Sequence, residues 1–323
     1  MSTRLREIAA SALGRLGLVG ISEIHILSKA GTTGYQYWEQ LSHSFGVPAF
    51  HTNLNTALGL MTTGRNDVLL VTPDNHVQAA QMVLSKSETH IVGMVPDMRM
   101  NQRARFTHAV SLPSFMEISG DGNMLANLYL SYGVNAADIQ ALLVSGDRNT
   151  LQSVHVLPVF ATAMDVAGFD LIRLNCGEFF AKDCVFGGET VAMTTGDLLS
   201  IYGAADRSNR SIFENCTFMM RADNAQANFI EIVGAGAGNG FSIFKNCQFI
   251  NFGTSLTYAI DGAGLGAHQM FFDNACSFVG VNDIVALAYE NYVWFGGVNM
   301  PINQVNTASS ALFNGIACHP DVS

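Results

Sequence analysis

Hydrophobic and polar positions alternate along this chain in short bursts rather than in long stripes, and the bursts repeat. Phe213-Glu214-Asn215-Cys216-Thr217-Phe218 superimposes without gaps on Phe244-Lys245-Asn246-Cys247-Gln248-Phe249, at an offset of 31 residues. Two further copies keep Cys-x-Phe: Phe180-Ala181-Lys182-Asp183-Cys184-Val185-Phe186, with one extra residue before its Asp-Cys pair, and Phe271-Phe272-Asp273-Asn274-Ala275-Cys276-Ser277-Phe278, with an insertion beside its Asn. Toward the N-terminus the register continues once Cys becomes another apolar residue, in Leu151-Gln152-Ser153-Val154-His155-Val156 and Leu125-Ala126-Asn127-Leu128-Tyr129-Leu130. The ladder position is therefore Leu128, Val154, Cys184, Cys216, Cys247 and Cys276, in steps of 26, 30, 32, 31 and 29 residues.

A period in this range means stacked supersecondary units. The units are strands, because alternation in Cys-x-Phe puts Cys and Phe on one face and no unit carries a helix-period stripe. Partner strands follow in each unit, such as Leu198-Leu199-Ser200-Ile201, Phe229-Ile230-Glu231-Ile232 and Leu256-Thr257-Tyr258-Ala259-Ile260. Between them lie Gly, Asn and Asp corners such as the glycine run 234–240, which supply positive φ. Constant strands with variable turns predict an all-β, right-handed parallel β-helix of roughly 7–9 rungs over residues 51–300. An N-terminal arm and helical cap occupy residues 1–50, with an apolar helical stripe at Leu5, Ile8, Ala12 and Leu16, and residues 301–323 form a tail. Asn127, Ser153, Asp183, Asn215 and Asn246 precede the ladder position. They are expected to stack about 4.8 Å apart on successive rungs, bonding to one another and to turn backbone.

On these motifs the chain resembles the pectate-lyase-like right-handed β-helix superfamily, which includes phage tailspikes and other virion proteins. The resemblance covers roughly residues 50–300. It implies a capping helix at Asn55–Met61, then strands at Asp67–Pro73 and Thr89–Gly93, with Asp74 standing where the superfamily has a Gly. It specifies a fold and not a chemistry, since the scaffold serves lyases, hydrolases and inert proteins alike.

Composition adds that the chain needs partners. Of 323 residues 49% are hydrophobic and only 13% charged, about half the usual charged share. The net charge of −10 argues against nucleic-acid binding. No membrane span and no signal peptide is expected. Cysteines 176, 184, 216, 247, 276 and 318 read as reduced core residues made in a cytoplasm. All basic residues lie at or before Lys245, so residues from about 250 onward are expected to meet a partner, with Phe295 and Val298 as probes of that contact.

Polysaccharide hydrolases on this scaffold place two or three carboxylates on neighbouring rungs of one exposed face, as acid and as base or nucleophile. The repeated pair here, Asp121 and Asp147, lies in two Ser-Gly-Asp-x-Asn segments, where Asp favours the bend itself. The resemblance to lyases points to an arginine base with acidic residues holding calcium, and Arg148 and Arg173, with Asp147 and Asp170 nearby, are the candidates. Arg173 and Glu231 each fall within a strand and read as solvated outward side chains. The scattered histidines lack metal-ligand spacing, the cysteine column reads as space-filling core, and no cofactor is implied. Arg99, Arg103 and Arg105 form the one local basic cluster, read as a solvated loop or as docking to an acidic neighbour.

Resemblance and site search together lead to a non-enzymatic phage virion protein, a capsid decoration or other particle-surface component, assembling as a homotrimer against capsid or other virion proteins. The alternatives are a tailspike-like polysaccharide depolymerase and a carbohydrate-binding adhesin contacting a surface glycan.

Overall fold

A computed structural model describes residues 13–14, 16–18, 20–32, 34–44, 50–96, 99–108, 114–132, 140–158, 169–202, 210–233, 240–262, 268–286, 292–296 and 303–304. Most of the N-terminal helical stripe, Met98, nearly all of the glycine run 234–240, Tyr289, Val298, Cys318 and nearly all of the 301–323 tail lie outside the described residues.

The chain coils so that each turn adds one strand to each of three parallel sheets, one of twelve strands and two of eight. In one turn Glu178–Lys182 joins the first sheet, Val185–Met193 the second and Asp197–Tyr202 the third. The next turn repeats this with Arg210–Glu214, Thr217–Ala222 and Asn228–Val233, paired on the strands before, in register except for a shift between Gly187 and Ala192 in the second sheet. The fold is thus an all-β parallel β-helix. Its core is continuous from Leu27 to Phe295 and is filled by stacked side chains. Rings of successive turns lie nearly parallel, Phe213 on Phe244 at 4.8 Å between centroids, Phe218 on Phe249 at 4.7 Å and Phe249 on Phe278 at 4.4 Å.

The corner between the first and second sheets takes its shape from one backbone conformation. Asn127, Ser153, Asp183, Asn215 and Asn246 all have φ between 50° and 55°, the left-handed region that Asn and Asp tolerate better than other side chains. Three of their side chains link turns, Asn215 Nδ2 donating to Asp183 Oδ1 at 3.2 Å and Asn246 Nδ2 to Asn215 Oδ1 at 2.8 Å, while Asn127 Oδ1 is buried with no hydrogen-bond partner among the described residues. The next residue points inward, so Leu128, Val154, Cys184, Cys216, Cys247 and Cys276 are all buried. Cys184, Cys216, Cys247 and Cys276 are free thiols. Three of them donate to a carbonyl one turn back: Cys216 to Ala181, Cys247 to Phe213 and Cys276 to Phe244, at 3.3–3.6 Å. Burial pushes the Cys184 and Cys247 thiols up. Asn246→Ala should therefore lower stability by about 1–2 kcal/mol through left-handed strain, while Asn246→Gly should recover most of that in a thermal melt.

Both ends are covered. Asn53 caps the helix Leu54–Leu60 by accepting from Thr56 N at 3.0 Å, and Leu54, Ala57 and Leu58 close the first turn of the core. The strand Ile24–Leu27 adds to the first sheet beside Asp67–Val71. Leu13, Leu18 and Trp38 pack on that sheet's outer face against Val68, Leu70 and Val92. At the far end Val293–Phe295 is followed by an antiparallel strand, Asn303–Gln304. Phe295 faces the core, stacked on Phe272 at 5.1 Å, so it cannot report on a surface contact. The basic cluster stays exposed at Arg99 and Arg103 but is tied to the solenoid: Arg99 donates to the Asn215 carbonyl and to Thr217 Oγ1, Gln102 to the Ser153 carbonyl at 2.6 Å, and Arg105 lies over the Tyr129 ring at 4.9 Å.

Candidate functional site

Strands of the third sheet share a pattern, polar-apolar-apolar-x-apolar: Ser114–Ile118, Gln140–Val144, Asp170–Leu174, Asp197–Ile201 and Asn228–Ile232. The two central apolar residues, such as Leu171 and Ile172, both enter the core, so the strand bends and the polar residues at either side of the bend converge outside. One column then reads Gln140, Asp170, Asp197, Asn228, and the other Glu117, Leu143, Arg173, Ser200, Glu231, Asp261.

Where the columns meet, Asp170, Asp197 and Glu231 bring one carboxylate oxygen each to within 4.8 Å of the others. Asp170 is 1% and Asp197 7% exposed, while Glu231 is partly open to solvent. Arg173 Nε donates to Asp170 Oδ2 at 2.6 Å, and its guanidinium lies over the Tyr202 ring at 4.4 Å. Ser200 Oγ donates to Asp170 Oδ1 and approaches Glu231 Oε2 at 3.4 Å. Asp197 lies among Asn228, Glu231 and Asp170, and its Oδ1 is buried with no hydrogen-bond partner among the described residues. Carboxyl oxygens gathered this closely disfavour simultaneous ionisation.

The electrostatics agree. Burial pushes Asp197 well up, and the charges of Glu231 and Asp170 add to that. Burial raises Glu231, helped by Asp170 and Asp261. Asp170 is raised by burial and pulled back by Ser200 and Arg173. Among the described residues one guanidinium faces these three acids, which favours a retained proton on the cluster.

A raised carboxyl binds its proton more tightly folded than unfolded. The stability it contributes is present below the unfolded value of 3.8 and is lost as pH rises through the folded value. His90, His155 and His268, lowered to about 4 by burial, act in the opposite sense, their contribution being lost as pH falls from 6.5. They are common to wild type and Asp197→Asn, so the difference between the two isolates the interacting carboxylate cluster. Asp197→Asn should gain stability relative to wild type as pH rises from 4 to 8, read from urea midpoints.

Other sequence candidates fall elsewhere. Asp121 and Asp147 lie in stacked turns, Asp121 Oδ1 accepting from Asp147 N at 2.8 Å and Asp147 Oδ1 from Gly177 N at 2.6 Å. Arg148 is an exposed turn residue paired with Glu178 at 3.0 Å. Arg173 is instead bound to Asp170 with a side chain 19% exposed, so reading it as solvated is corrected, whereas Glu231 keeps its outward, partly solvated place and is engaged from the side by Ser200. Among the described residues a second group, Glu23, His25 and Asp67, also gathers possible ligand atoms. There Asp67 accepts from Glu23 N, Thr62 N and Arg65, and Arg65 also pairs with Glu23 at 2.8 Å, so the group braces the N-terminal strand.

Among solved structures, the chain is similar to a pectin methylesterase variant in complex with a hexasaccharide, at TM-score 0.55 and 13% identity over 90% of this chain and 95% of that one. It is also similar to a deglycosylated pectin methylesterase from Aspergillus niger, at TM-score 0.47 and 10% identity over 92% and 97%. A pectate lyase matches at TM-score 0.46 and 12% identity over 89% and 79%. No family model and no curated protein sequence matches. The first of these likenesses shows the fold, a right-handed parallel β-helix.

Proposed function

We propose that this protein is a polysaccharide depolymerase, a hydrolase working on the outer face of the third sheet. The observation that carries the reading is the convergence of Asp170, Asp197 and Glu231 on three consecutive turns. In it the Asp197–Glu231 pair holds the proton, and Glu231, its solvent-facing end, delivers it to the leaving glycosidic oxygen. Asp261, in register with Glu231 on the next turn, is the second carboxylate. Strands one turn apart lie about 4.8 Å apart at the backbone, and as the protonated oxygen leaves, this second carboxylate either attacks the anomeric carbon, with water then releasing the sugar, or activates the water that does so. Asp170 and Ser200 position the cluster, and Arg173 on Tyr202 forms a platform beside it.

The calcium associated with lyases of this fold does not fit these residues. Both Asp170 oxygens are engaged by Arg173 and Ser200, leaving two carboxylates where calcium takes six to eight oxygens.

The competing readings are a non-enzymatic virion component, such as a homotrimeric capsid decoration protein, and a glycan-binding adhesin. A panel of acidic and neutral polysaccharides separates them. Release of reducing ends without an unsaturated product is expected. Unsaturated product means a lyase, binding without release means an adhesin, and neither binding nor release from folded protein returns the virion reading.

A further inference from the structure

We infer that the outer face of the first sheet is a self-association surface on which a second copy of this chain packs side by side, with the two solenoids parallel. One outward column of this sheet runs Ile24, Val68, His90, Met124, Thr150, Phe180, Ile212, Ile243, Phe271, Trp294, each paired in register with the next. Over the first turns the column is covered from within the chain by Leu13, Leu16, Leu18 and Trp38. Beyond Thr150 it becomes a stripe of five large apolar side chains, Phe180 to Trp294, all partly exposed. Outward strand positions on a solvated face are ordinarily polar, so this stripe continues a face that already buries a layer.

Charge identifies the occupant. The stripe is flanked by Glu178 and Arg210 on one side and by Lys182 and Glu214 on the other. Within these two strands the flanks are opposite in sign, and along each flank the charges pair from turn to turn, Arg210 with Glu178 at 3.0 Å and Lys182 with Glu214 at 3.4 Å, so a second copy extends these pairs across the seam. A rotation axis laid along the stripe, parallel to the solenoid, places Glu178 of one copy beside Lys182 of the next and Arg210 beside Glu214. Apolar residues then meet their own equivalents at the axis. A face that complements itself under rotation is what a symmetric homo-oligomer requires. The stripe is separate from the third-sheet carboxylates, so it stands or falls independently of the proposed activity.

The test is the mass of the full chain by sedimentation, with β-sheet content followed by circular dichroism. Wild type is expected at a multiple of 34.7 kDa, and Ile243→Glu at 34.7 kDa with unchanged β-sheet content. Because residue 243 points outward between buried Ser242 and Phe244, the substitution spares the core. Ile243→Cys should crosslink to its equivalent under mild oxidation, since parallel copies meet there at the axis. A monomeric wild type overturns the inference, as does an oligomer that survives Ile243→Glu. Persistent assembly without an Ile243→Cys crosslink overturns the parallel arrangement.

Discussion

Replacing Glu231 with Gln is expected to reduce polysaccharide turnover by about 10²–10⁴-fold, the usual contribution of a positioned acid. Gln keeps the shape and the approach to Ser200 but cannot deliver a proton. Substrate affinity should therefore be nearly unchanged, and the loss should fall on kcat. Folding should not suffer, because burial and the charges of Asp170 and Asp261 already disfavour ionised Glu231. Asp121→Asn and Asp147→Asn are the matched controls. Their carboxylates accept backbone N–H groups of the following turn, a task an amide oxygen can perform, so both should retain full activity. Turnover surviving Glu231→Gln but lost in either turn variant would move the site away from the third sheet.

The corner was readable in the sequence and the carboxylate cluster was not, for one physical reason. Asn-Cys-x-Phe marks a corner where a left-handed residue is followed at once by an inward one, so the copies at Phe213–Phe218 and Phe244–Phe249 align without gaps and the others depart by a residue at most. Third-sheet strands follow connections of unequal length, and their shared polar position is filled in turn by Ser, Gln, Asp, Asp and Asn. Asp170 and Asp197 become neighbours only once these connections are set aside. Alternation places Arg173 outward, as it is. It does not reveal that Leu171 and Ile172 both turn inward, which folds Asp170 back against Arg173. The signal that could have found the site is the polar-apolar-apolar-x-apolar pattern itself, aligned from strand to strand as the Cys column was.

Phe249→Ala should be among the most damaging single changes in the core, and its damage should stay local. The ring stacks on Phe218 and Phe278 and meets Phe229, Phe244 and Phe272 edge-on, linking strands of all three sheets. Removing such a side chain costs about 3–5 kcal/mol in transfer and cavity terms. In a compact domain that would approach the whole margin of about 5–15 kcal/mol. In a solenoid each turn touches only its neighbours, so the loss falls on the interfaces the ring made. Amide hydrogen exchange should therefore accelerate in Gln248–Asn251, Ser277–Val279 and Gln269–Phe272. Asp67–Val71 and Thr89–Gly93, many turns away and held by the capping helix, should keep wild-type protection. Uniform loss of protection along the chain would mean that the turns melt as one cooperative unit and not as stacked neighbours.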